Sequence, residues 1–219
     1  MNAVSRPLSR TLARVVTATS LAASAAVLGA SAPAHAEVVI DCAGGAVTVG
    51  QSHDVVTVTG TCTDVAVTGS GSVVTVPAAT TLSLTGDDLD VSAGAVSGAM
   101  SVGGDNNTVT APSAGSLSVT GPNTSVVFSG DVDTATVTTT NVSLKAGRLG
   151  RLSVQGRNNS VRATSGTKLV VNGQNNAARY ARLGSVEVDG RNNSVRVTKG
   201  RTKVAVRGQN NAITVHQRI

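Results

Sequence analysis

Gly156-Arg157-Asn158-Asn159-Ser160-Val161 returns as Gly173-Gln174-Asn175-Asn176-Ala177-Ala178, as Gly190-Arg191-Asn192-Asn193-Ser194-Val195 and as Gly208-Gln209-Asn210-Asn211-Ala212-Ile213. The copies begin 17 or 18 residues apart, a period too short for a helical hairpin repeat and long enough for two short strands. Working outward, the glycine column extends back through Gly121, Gly104, Gly86 and Gly69, with Thr139 in one coil. Two and four residues before each glycine stand apolar residues, such as Val154 and Leu152 before Gly156, or Val188 and Val186 before Gly190. That alternation describes a strand with one face inward.

A second strand follows each glycine. Its inward positions run from Val56 through Val74, Val91, Val109, Val126, Leu144, Val161, Ala178 and Val195 to Ile213, and two residues later from Val58 to Val215. No single repeat holds enough apolar surface to fold alone, so neighbours must stack into one continuous core. The repeat therefore predicts an all-β, single-stranded parallel β-helix of about ten coils of 17–18 residues. The repeat leaves open the hand of the coil, and whether a third short strand occupies the link near Ser165-Gly166 and Lys199-Gly200.

Between the two strands lies a polar corner, occupied by Asp88 and then by Asn106, Asn123, Asn141, Asn158, Asn175, Asn192 and Asn210. Asparagine tolerates the left-handed backbone of a tight corner, and its amide can bond its counterpart one coil away. These residues are expected to form a structural asparagine ladder. Glycosylation-like triplets such as Asn123-Thr124-Ser125 are by-products of the same repeat.

Residues 1–36 read as a cleaved secretory signal: Arg6, Arg10 and Arg14 precede an apolar stretch from Val15 to Ala30, and Ala34-His35-Ala36 supplies a small-x-small cleavage pattern. The expected mature domain is 37–219, secreted and extracellular or associated with the cell wall. Cys42 and Cys62 fall on neighbouring coils, where export permits a disulfide. With one Phe, one Tyr and no Trp, the composition counts against aromatic stacking on sugars or on single-stranded bases.

The Cys42 and Cys62 pair, the Val56-Thr57-Val58-Thr59-Gly60-Thr61-Cys62 run and the G-x-N-N repeats together resemble the actinobacterial secreted "domain of unknown function 3060" family. The resemblance covers most of 37–219. Many members are lipid-anchored, and this chain departs from them by lacking a cysteine at the cleavage point. The resemblance implies no activity, no cofactor and no catalytic residues.

Charge is divided sharply along the repeats. Residues 37–144 hold ten acidic side chains and no Lys or Arg, whereas 145–219 hold fifteen basic and two acidic ones, giving −10 and +13. Four successive coils place a cation at one outward position: Lys145, Arg162, Arg179 and Arg196. Arg157 and Arg191 flank them at the corner, and Arg151, Lys168 and Lys203 lie at the start of the other strand. Stacked like charges destabilise a ladder by a few tenths of a kcal/mol per pair, which an extended anion would offset. The expected partners are an anionic cell-wall polymer, extracellular DNA held without sequence readout, or an anionic membrane surface. Surface protection against β-aggregation and head-to-tail self-association of the two oppositely charged halves are the rival readings.

Enzymatic constellations do not assemble from the sequence. His53 and His216 lie at opposite ends of the repeats, so a Ser-His-Asp arrangement has no convergence point. Asp87, Asp88 and Asp105 are a weak calcium candidate, since calcium takes six to eight oxygens and these supply half, and with them a polysaccharide lyase is a distant alternative. Thr57, Thr75, Ser92 and Thr110 begin a hydroxyl ladder of the ice-binding type, interrupted by Val127 and the cations. The reading is a non-enzymatic, structural or adhesive protein without cofactor.

Overall fold

The computed structural model describes residues 37–219. The secretory signal expected over residues 1–36 lies outside the described residues. Every regular element in the described chain is a β-strand, and every pairing is parallel. The chain forms a parallel β-solenoid whose successive turns pair in register, each residue with its counterpart one coil on.

Eleven rungs stack on the ladder that follows the corner, one more than the repeat alone suggests. The extra rung is Glu37–Asp41, where Val38 pairs with Val56 and Ile40 with Val58. Eleven rungs at an inter-strand spacing of about 4.8 Å make a rod about 50 Å long.

The link that the repeat leaves open is a third, short ladder. Ala79 pairs with Val96, Val96 with Ala114, Ala114 with Val132, Val132 with Leu149, Leu149 with Gly166 and Gly166 with Leu183. The coils that this link joins thus carry three ladders in chain order: a first after the corner, a second at the link and a third before the glycine. From Ser143 onward the ladders fuse into long continuous strands, Ser143–Val154, Ser160–Val171, Ala177–Arg191 and Ser194–Gln209.

The core is the stack of inward residues from all three ladders, with Val56, Val74, Val91, Val109 and Val126 wholly buried on the first and Val67, Leu84, Val102 and Val119 on the third. Its two aromatic residues are accommodated by small neighbours. Phe128 pairs with Ala111, and Tyr180 with Ala163. Gly166 is what admits the tyrosine ring, because a Cβ there would lie 2.8 Å from Tyr180 Cε1. The glycine at the end of the third ladder serves close approach: a Cβ on Gly173 would run into the Gly156 carbonyl oxygen of the coil before.

Cys42 and Cys62 form a disulfide, with Cα atoms 5.2 Å apart, joining the first coil to the second.

The asparagine ladder lies one residue later than the sequence reading places it. Asn106, Asn123, Asn141, Asn158, Asn175, Asn192 and Asn210 all adopt left-handed backbone, with φ between 52° and 59°. That conformation makes the corner and leaves the side chain outside; only Asn141, Asn123 and Asn106 bond along the column, and two of their acceptors are carboxylates, Asp105 and Asp88. The following residue turns inward. Asn107, Asn159, Asn176 and Asn193 are buried, and their amides satisfy corner backbone in the neighbouring coils. Asn176 Nδ2 donates to the Gly156 carbonyl at 3.0 Å and to Asn193 Oδ1 at 3.1 Å, while its Oδ1 accepts the Asn159 N–H at 3.0 Å. Asn193 repeats this pattern, donating to Gly173 and Asn211 and accepting the Asn176 N–H. The interior ladder exists because corner N–H and C=O groups, cut off from water, must find partners.

Candidate functional site

The first ladder carries an outward column in which Lys145 pairs with Arg162, Arg162 with Arg179, Arg179 with Arg196, and Arg196 with Thr214. Strand alternation explains the arrangement. Leu144 and Ala146, Val161 and Ala163, Ala178 and Tyr180, and Val195 and Val197 are buried on either side of each cation, which forces the residue between them out to solvent. Three intervals of about 4.8 Å give the column a length of about 14 Å.

Small side chains flank this ridge. On the corner side, Ser160, Ala177, Ser194 and Ala212 floor a groove of about 390 Å³ whose wall is Arg162, Arg179 and Arg196. On the other side, Thr164, Ala181 and Thr198 floor a second groove of about 260 Å³ that reaches Lys145. Neither groove contains a carboxylate.

The column has no ion-pair partner among the described residues. The ion pairs there are Arg148 with Asp133, at 3.8 Å, and Lys168 with Glu187, at 3.3 Å. Neither involves the column.

The remaining cations expected to join the column divide into two groups. Arg157 and Arg191 stack at the corner with Gln174 between them, and the left-handed Asn158 and Asn192 that follow them stand between them and the column. Arg151, Lys168 and Lys203 fall on the third ladder, in register with Ser185. The second ladder intervenes between Ala163 and Lys168, so these side chains leave the rod on a different face, and Lys168 is already paired. Sequence spacing could not show this, because a corner in the link redirects the outward normal without altering the period.

The carboxylates considered for calcium are engaged with the corner. Asp87 Oδ1 accepts the Asp105 N–H at 2.7 Å, Asp88 Oδ1 accepts from Asn106 Nδ2 at 2.6 Å, and Asp105 Oδ1 accepts from Asn123 Nδ2 at 2.8 Å. Among the described residues no three His, Cys, Asp or Glu side chains gather into a metal-holding group. Asp87, Asp88 and Asp105 therefore belong to the corner's own bonding.

The interior asparagines were missed in the sequence although a signal was present. At the position after the corner, Leu89 and Val142 replace asparagine, and only an inward site exchanges Asn for Leu or Val.

Residues 49–97 match the model of a family described as a protein of unknown function (DUF3060). Over these residues the chain is similar to that family. The DUF3060 match lies wholly within the acidic part of the rod and stops well before Lys145, a narrower span than the resemblance over most of 37–219. No curated protein and no solved structure matches the chain.

Proposed function

We propose that this protein is an exported, non-enzymatic binding protein that holds an anionic cell-surface or extracellular polymer against the Lys145, Arg162, Arg179 and Arg196 column. The observation that carries the reading is the in-register stack of four cations, open to solvent and without a carboxylate partner. A solubilising role would be met by scattered charges. Stacking them costs a few tenths of a kcal/mol for each neighbouring pair, which an extended anion offsets. Export is supported by the arginine-led apolar leader at residues 1–36 and by the Cys42–Cys62 disulfide, a bond that persists in oxidising compartments.

The test uses residues 37–219, which contain every described strand and the whole buried core. Binding to purified cell-wall polymer, to anionic lipid vesicles and to duplex DNA is measured across a salt series. The comparison is a variant with Lys145→Thr, Arg162→Thr, Arg179→Thr and Arg196→Thr. The wild type should bind with a steep salt dependence that the variant loses, while the variant melts at the same temperature or slightly above. A wild type that ignores all three ligands refutes the proposal, and oligomers seen in the same samples would favour self-association instead.

A further inference from the structure

Resting on that reading, we infer that the ligand is a single linear chain of phosphodiester or polyphosphate type, lying lengthwise along the rod, and not a duplex. The ridge is one cation wide and runs in register from coil to coil. Its charges recur at one per coil, about every 4.8 Å, over about 14 Å. A flexible chain can follow that line and meet all four cations. A duplex, stiff over about 150 base pairs, presents a phosphate strand that winds away from any straight line.

The grooves agree with a thin ligand. They are shallow troughs of 390 and 260 Å³ floored by Ser160, Ala177 and Ser194 on one side and Thr164, Ala181 and Thr198 on the other. Hydroxyls there can donate to phosphate oxygens, and methyl-sized floors let a backbone approach the guanidinium groups from either side. No aromatic side chain stands in either trough except the buried Tyr180, so the face reads charge and hydroxyl chemistry, with no base identity.

The site is also finite. One coil below Lys145 the column continues as Val127, in the half of the chain that carries ten carboxylates and no cation. One coil above Arg196 it continues as Thr214. A polyanion longer than the column gains no further contact and meets repulsion on the acidic side.

Inorganic polyphosphate fractions of increasing length and a short blunt DNA duplex serve as probes of the 37–219 protein. Affinity for polyphosphate should climb with length until the chain spans the column, then flatten. Neutralising four charges on a single chain predicts a log–log salt slope of about −2.8, a loss of roughly fiftyfold between 50 and 200 mM salt. A duplex touching two of the cations should show a slope of about −1.8 and a loss of roughly tenfold. Arg179→Thr should shift the polyphosphate slope by about 0.7, and Lys203→Thr, on another face, should leave it unchanged. Binding that does not depend on length, or duplex binding as steep as that of polyphosphate, overturns the single-chain inference while leaving polyanion binding intact. Absence of salt-sensitive binding to either probe sinks both.

Discussion

Adjacent asparagines at one corner should respond to alanine very differently, because one supplies backbone conformation and the other supplies hydrogen bonds. Asn175 holds φ at 56° and is exposed, so Asn175→Ala costs the left-handed penalty of about 1–2 kcal/mol. Asn176 is buried and makes three side-chain bonds, at 3.0, 3.0 and 3.1 Å. Asn176→Ala orphans the buried Asn159 N–H, at about 1–3 kcal/mol, and deletes two donated bonds at about 1 kcal/mol each. The total is about 3–5 kcal/mol. For a domain of this size each kcal/mol shifts Tm by about 2–4 °C, so Asn176→Ala should lower Tm by about 10 °C and Asn175→Ala by less than half as much. Asn175→Gly, which carries no left-handed penalty, should restore the wild-type value. The assay is thermal unfolding followed by far-ultraviolet circular dichroism, with matched denaturant titrations. Equal losses at the two positions, or a larger loss at Asn175, would refute the division of labour between corner and interior ladder.

Tyr180 is wholly buried, and burial pushes its phenol above the ordinary tyrosine range because the ionised form would lose its hydration. In the unfolded chain the group ionises near pH 10, while the folded state keeps its proton. Stability from this residue is therefore intact below about pH 10 and falls by about 1.4 kcal/mol per pH unit above it. As Tyr180 is the sole tyrosine, absorbance of tyrosinate should rise only with unfolding; a titration near pH 10 in the folded protein would contradict its burial. The hydroxyl also has no hydrogen-bond partner, so Tyr180→Phe should raise Tm by a few degrees, and a fall would mean the hydroxyl is satisfied. Reduction of Cys42–Cys62, separated by 20 residues, should remove roughly 3 kcal/mol from the stability of the first two coils. Hydrogen exchange should then quicken in residues 37–67 and stay slow around Tyr180; uniform loosening would show that the rod unfolds as one unit.

The architecture was legible because a solenoid writes its core into the sequence at a fixed period. Val161, Ala178 and Val195 recur at one phase and Arg162, Arg179 and Arg196 at the next, and parallel in-register stacking turns equal phase into direct contact. For that reason the cation column, the burial pattern and the proximity of Cys42 to Cys62 follow from spacing. Period carries no information about direction within a coil, however. Which asparagine of each pair turns inward depends on the left-handed φ at the first, a backbone choice made by the corner as a whole. The second ladder, at the link, arises only when Val132, Leu149 and Leu183 join the stack, and it is this bend that parts Lys168 from Arg162. Sequence alone determined which residues stack upon one another, since stacking is one-dimensional. Tertiary structure decided which faces they share and which carboxylates and amides are already engaged, since those depend on where the chain bends and on the backbone groups each bend leaves to be satisfied.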